Sequence, residues 1–459
     1  MHSQEIILNK QRLIKNYTLR TILPAVVILI LTLPVNILSN DESLVKTLNE
    51  RSIPLTDEES IDTLIAEAAE HRLVLLGEST HGTSEYYQWR YKISKILIEE
   101  HGFDFIAVEG DWPSFYVISQ QVKAGTEDRP DFEKLFAKNF NRWPQWMWAN
   151  QETITLAEWL TSYNENKLHE QRVGIYGMDV YSKEESIEQV REYLKDFDAP
   201  EYHTKAALYD CFSEYDYDGQ NYARAIHFGA AGCADNVLRV VNFLRDNKEY
   251  LKNLDSRKYF NAKQNALIVK NAEKHYRSAT RRDESSWNYR ASHFYLTVER
   301  LLDYYGDDAK GVVWAHNTHI GDARATTMVR ENRKNIGQLA REDLGPENVF
   351  LVGFGCFKGR VIAGSRWGSR KQIMRMPEAG HDSIEIILNN VDHDDYYFLM
   401  DEELKQYRKL REHVGHRAVG VVYNPSVEYP GNYVPTILSE RYNAFIFFQQ
   451  TTPLSPIDN

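Results

Sequence analysis

Residues 73–82 read LVLLGESTHG, and the build of this stretch decides how the rest of the chain is read. Four consecutive apolar residues, Leu73–Leu76, stop at a glycine, the pattern of a short strand buried on both faces. A polar turn runs from Gly77 to Gly82, and the amphipathic stretch from Ser84 to Glu99 predicts a helix. Phe105–Val108 then repeats the compact apolar run, so strand, helix and strand form a βαβ unit. Val173–Tyr176 and Val312–Trp314 are two further runs of this kind. Together they predict an α/β fold with a largely parallel central sheet flanked by helices.

Upstream, Ser43 to Ala69 reads as lead-in helices with an intermittent apolar face at Leu44, Leu48, Ile61, Leu64 and Ile65. Downstream, the texture from about Ser182 to Tyr305 is polar, rich in Tyr, Arg and Asn, and free of proline after Pro200. That predicts a helical lobe inserted between the third and fourth strands. The α/β core then comprises residues 41–181 and 306–459, and the lobe residues 182–305. Five later runs, Phe350–Phe354, Val361–Ala363, Tyr397–Met400, Val419–Val422 and Phe445–Phe448, are expected to complete the sheet, some of them antiparallel.

The 459 residues are 42% hydrophobic and carry no low-complexity tract, enough for a sizeable core. Acidic residues number 66 against 54 basic ones, a net charge of −12 that argues against general nucleic-acid binding. Lys10, Arg12, Lys15 and Arg20 precede an uncharged, mostly apolar run over residues 21–38, the order of a signal peptide or membrane anchor. Residues 1–40 are therefore set apart from the fold. The expected location is exported or membrane-anchored, or cytoplasmic if the segment is not a functional signal. Cys211, Cys233 and Cys356 lack metal-binding spacing and read as packing residues, although export would allow Cys211 and Cys233 to pair.

Each of the four leading runs ends in reactive polar residues. Glu78 and His81 follow the first, Glu109 and Asp111 the second, Asp179 the third, and His316, His319, Asp322 and Arg324 the fourth. Ligands of open α/β sheets bind outside the carboxyl ends of the strands, so these clusters can share one crevice. Glu78 lies three positions before His81, within reach for a carboxylate to raise the basicity of an imidazole, which makes His81 the candidate general base. Glu109 follows a buried run, where an ionised carboxyl needs a partner. His316 and His319 can stabilise an oxyanion, donate a proton or ligate a metal. Arg90, Asp179, Asp322 and Arg324 are candidate substrate-binding residues. The Trp-rich stretch Trp143 to Trp148 is a candidate cleft wall, whereas His275, His293 and His381 read as structural.

The motifs Gly77-Glu78-Ser79-Thr80-His81-Gly82, Glu109-Gly110-Asp111-Trp112-Pro113, Gly177-Met178-Asp179-Val180-Tyr181 and Val313 through Arg324 occur in order. With Glu440-Arg441-Tyr442-Asn443-Ala444-Phe445 near the end, they resemble the erythromycin esterase-like proteins over about residues 55 to 453. That resemblance implies hydrolysis of an ester or lactone, the macrolactone of erythromycin being the type substrate, without a serine or cysteine nucleophile. It further implies that His81 activates water, that Glu78 and Glu109 position and tune it, and that His316 and His319 face it. No Gly-x-Ser-x-Gly elbow is present, and Gly364-Ser365-Arg366-Trp367-Gly368 places its serine wrongly for one.

The expected partner is a small-molecule ester or lactone, with no cofactor, and with membrane attachment through residues 21–38 if that segment is an anchor rather than a cleaved signal. Two other readings compete. The same Glu78, His81, Glu109, His316 and His319 are ligand types for a divalent metal that would acidify a bound water. A non-catalytic envelope protein would instead use the lobe and the Trp-rich stretch to hold a ligand.

Overall fold

The computed structural model describes residues 41–126, 129–197, 200–280 and 284–457. The segment read as a signal or anchor lies outside the described residues. Among them, no helix is long and apolar enough to cross a membrane.

Eleven strands are described: β1 (Ile53–Pro54), β2 (Leu73–Leu76), β3 (Phe105–Val108), β4 (Gly174–Gly177), β5 (Gly311–Trp314), β6 (Val349–Gly364), β7 (Lys371–Met376), β8 (Asp395–Leu399), β9 (Val414–Arg417), β10 (Tyr433–Thr436) and β11 (Ala444–Thr451). The main sheet runs β1-β8-β11-β6-β2-β5-β3-β4, with β7 attached to β6, and β9 pairs β10 separately. The six strands from β11 to β4 are parallel. The pairs β8 with β11, β1 with β8 and β7 with β6 are antiparallel. The fold is thus α/β with a largely parallel central sheet.

Unbroken apolar strands serve two cores at once. Val74, Leu76, Ile106, Val108, Val312 and Trp314 face one cluster, which includes Ile93 and Leu97 of the helix Ser84–His101. Leu73, Leu75, Phe105, Ala107 and Val313 face the other, with Val298 and Leu301 of the helix Ser285–Tyr305. Alternate side chains of a strand point to opposite faces, so a strand covered on both sides can afford no polar position.

The described residues of the lobe region are mainly helical, and Ile187, Val190, Tyr209, Phe212, Val237 and Val240 form a third apolar cluster there. Its last helix, Ser285–Tyr305, belongs to the sheet core instead. Several expected boundaries change. Phe350–Phe354 and Val361–Ala363 are two parts of the single strand β6, and Val419–Val422 is no strand at all. Val419 and Val422 pair only as isolated bridges, to Thr80 in the turn after β2 and to Gly364 at the end of β6. The cysteines also differ from the packing reading, since Cys211 and Cys233 form a disulfide and only Cys356 is a buried free thiol.

Candidate active site

The parallel register carries the site. Leu76 and Val108 both lie opposite Trp314, and Val108 lies opposite Gly177, so the chain leaves four adjacent strands at one level. The residues that follow are Glu78 and His81 after β2, His316 and His319 after β5, Glu109 after β3 and Asp179 after β4. Two glycines allow the first turn to pack this tightly. A Cβ on Gly77 would stand 2.0 Å from Asn317 Oδ1, and one on Gly82 would stand 1.9 Å from the Ile362 carbonyl oxygen.

Glu78 is buried and meets two donors, His81 Nδ1 at 2.8 Å and the Arg90 guanidinium Nη2 at 2.8 Å. An ionised carboxylate only accepts, so the Nδ1 proton of His81 lies on this hydrogen bond and Nε2 is the basic nitrogen. Burial opposes charging His81, but the Glu109 charge and then the hydrogen bond and charge of Glu78 raise its pKa above the ordinary value. Arg90, expected at the substrate, is instead fully buried behind Glu78, over the rings of Tyr87 and Trp314.

Glu109 is held from the other side. Its Oε1 accepts from Arg290 Nη2 at 2.8 Å and its Oε2 from the His316 backbone N–H at 3.0 Å. Burial alone would raise its pKa, yet His319, His81 and Arg290 hold it well below the usual carboxylate range. Arg290 also grips Asp179 through Nε at 2.9 Å and Nη2 at 2.7 Å. His319 Nε2 sits 3.1 Å from Arg290 Nη1 and 3.3 Å from Glu109 Oε1, with its ring stacked on Trp287.

His316 is tuned oppositely to His81. Burial, then the neighbouring His81 charge, pushes its pKa well below the ordinary value, so it is neutral when His81 is charged. The two rings lie 4.9 Å apart. The backbone N–H of Thr318 donates to His316 Nδ1 at 3.2 Å, which leaves the hydrogen on Nε2. The Nε2–H makes no well-formed hydrogen bond among the described residues, although the Ser79 backbone lies near it.

A cavity of about 670 Å³ opens over this group, lined by His81, Glu109, Asp179, Arg290, His316 and His319. Trp143 and Trp148 of the Trp-rich stretch also line it, whereas Trp146 packs in the core. Asp322 and Arg324 lie outside this lining: Asp322 is bound by Arg324 Nη2 at 2.7 Å and by Arg341 at 3.3 Å. The ion pair locks the loop after the histidines. His275 and His293 are held by Ser286 and Asn271, and His381 is exposed beside Asp382.

Arg290 and Trp287 had no sequence signal. They lie on the helix Ser285–Tyr305, and 111 positions separate Arg290 from Asp179. An arginine in a polar amphipathic helix reads as solvated until the helix is placed.

Fold and site define an α/β protein with a buried acid–base centre at the carboxyl edge of its sheet. The chain belongs to the erythromycin esterase family, a family of hydrolases, whose profile matches residues 98–451. It is similar to YbfO of Bacillus subtilis (strain 168), named as a hydrolase, at 20% identity over 405 residues, covering 83% of this chain and 84% of that protein. Among solved structures, a Bacillus cereus protein matches with TM-score 0.75 at 19% identity, covering 91% of this chain and 99% of its own. A succinoglycan biosynthesis protein matches with TM-score 0.72 at 19% identity, covering 90% and 98%. A variant of the erythromycin esterase EreC in its open conformation matches with TM-score 0.66 at 16% identity, covering 89% and 99%.

Proposed function

We propose that this hydrolase cleaves a carboxylic ester or lactone of a small molecule with water activated by His81. The observation that carries the reading is the pairing of two histidines with opposite electrostatics over one cavity, His81 made basic by Glu78 and Glu109 and His316 kept neutral. In this scheme His81 Nε2 takes a proton from water as the oxygen attacks the ester carbonyl carbon. Glu78, itself held by Arg90, retains the Nδ1 hydrogen and stabilises the imidazolium. The Nε2–H of His316 donates to the oxyanion. Collapse of the tetrahedral intermediate breaks the carbon–oxygen bond, and His81 returns its proton to the departing alkoxide.

The family name and the likeness to an erythromycin esterase support a macrolide lactone as one such substrate. Export is supported by the disulfide Cys211–Cys233, a bond that persists in oxidising compartments. Turnover of an ester and lactone panel that includes erythromycin, by the wild type and by His81→Ala, tests the chemistry. The substitution is expected to lower kcat/KM by at least about a hundredfold with the circular dichroism unchanged. Full activity in a folded His81→Ala protein overturns the reading.

One observation favours a second reading: Glu78, His81 and Glu109 can each offer a ligand atom within 4.8 Å of the others. A divalent ion held there would acidify a bound water. Against it, both carboxylates already carry an arginine, Arg90 on Glu78 and Arg290 on Glu109, which lowers the site's attraction for a second cation. Metal analysis of active protein, with activity measured before and after chelation, separates the two.

A further inference from the structure

The outer half of β6 and the strand β7 form a hairpin whose turn brings Trp367 into the cavity lining. Trp367 is 65% exposed and its ring meets Trp143 with centroids 4.6 Å apart. On β7, Ile373 is 53% exposed, and the neighbouring Val422, bridged to Gly364, is also exposed. Arg360, Arg366, Arg370 and Arg375 are all exposed on this hairpin. Lys358 at its base pairs with Glu378, but none of the four arginines has an ion-pair partner among the described residues.

Arg360 and Arg375 stand directly opposite one another in the antiparallel register. Like charges so placed destabilise a strand pair, and here they persist on a chain of net charge −12. Charged residues on a peripheral strand do protect against edge-to-edge aggregation. That role accounts for the arginines but not for a tryptophan and an isoleucine left in water between them. An anionic surface with an apolar layer beneath satisfies both groups.

We propose that this hairpin seats the mouth of the cavity on an anionic phospholipid bilayer. The arginines meet lipid phosphates while Trp367 and Ile373 enter the boundary between headgroups and acyl chains. A soluble polyanion would neutralise the arginines and leave the indole and Ile373 in water, which is why the lipid surface is the favoured partner. The surface rests on exposure, charge and register, and does not depend on which ester is cleaved.

The test is sedimentation of the full chain with vesicles of phosphatidylcholine alone and of phosphatidylcholine mixed with phosphatidylglycerol. Wild type is compared with a variant carrying Arg360→Gln, Arg366→Gln, Arg370→Gln and Arg375→Gln, and separately with Trp367→Ala. Binding to the anionic vesicles is expected to weaken about fivefold for each arginine removed, and to weaken in Trp367→Ala without loss of the preference for anionic lipid. Salt should weaken the wild-type binding. Unchanged circular dichroism and thermal unfolding in the quadruple variant confirm that the fold is intact. Both proteins keep residues 1–40, so contact is also read at the hairpin itself: its four arginines should be protected from chemical modification in wild type bound to anionic vesicles, and equal modification with and without those vesicles overturns the proposal. Arginine-dependent binding to heparin without binding to either vesicle also overturns it, and assigns the patch to a soluble polyanion.

Discussion

His81 and His316 are the same residue type 4.9 Å apart in one buried site, yet their pKa values move in opposite directions. Burial opposes charging both rings; at His81 the Glu109 charge and then the hydrogen bond and charge of Glu78 outweigh it, whereas at His316 burial and the neighbouring His81 charge prevail. A proton on His81 is stabilised by Glu109 and Glu78, while the same charge repels a second proton from His316. In the proposed mechanism the base must be neutral to act, so kcat/KM should fall as pH drops through the His81 pKa, at a pH above that of an ordinary histidine. Glu78→Gln keeps an acceptor for Arg90 but removes the charge beside Nδ1, so this acid limb should move to lower pH while the plateau rate falls. A pH–rate profile measures both effects, and a limb that stays in place would show that His81 is not the titrating base.

At the scale of elements, the helix Ser285–Tyr305 belongs to two systems. Its apolar side completes the sheet core through Phe294, Val298 and Leu301, and its first turns deliver Trp287 and Arg290 to the site. Arg290 lies between the Glu109 and Asp179 carboxylates, and all three side chains are nearly inaccessible to water. Removing the cation would leave two buried carboxylates facing one another. Arg290→Gln is therefore expected to destabilise the fold by about 3–5 kcal/mol, read by denaturant unfolding. Adding Asp179→Asn to that variant should recover part of the loss, because one unpaired charge is then gone. Recovery would be absent if Arg290 contributed only packing.

The turns at the sheet edge were legible in the sequence because short apolar runs of buried strands are bounded by glycines, as at Gly77 and Gly82. The close approach of Asn317 and Ile362 to those glycines was not legible, since Asn317 follows β5 and Ile362 lies on β6, both distant in sequence. Asp322 and Arg324 illustrate the opposite case. They sit five and five residues beyond Asn317 and His319 in a motif that reads as chemistry, but their charges are spent on each other and on Arg341.

Over the whole molecule, the separate apolar cluster within residues 187–269 is closed by the Cys211–Cys233 bond, 22 positions apart in sequence. Peptide mapping without reductant should recover those two cysteines linked, with Cys356 free. Reducing the bond should lower stability by about 3 kcal/mol, the entropy of a closed loop of this size, as read by thermal unfolding with and without reductant. Recovery of three free thiols from protein kept under oxidising conditions would contradict the pairing.

By itself the sequence determined the α/β class, the four leading strands and the acids and histidines that follow them. Each of these is written locally, in unbroken apolar runs that stop at polar turns. Tertiary structure alone decided which of those groups meet. Register set Leu76, Val108, Trp314 and Gly177 at one level and gathered Glu78, His81, Glu109 and His316. It also turned Arg90 into a buried support, sent Asp322 and Arg324 out of the cavity lining, and brought Arg290 in from a helix with no motif. The physical reason is range: strand burial is encoded over a few neighbouring residues, whereas a charge finds its partner only after segments far apart in the chain have been packed together.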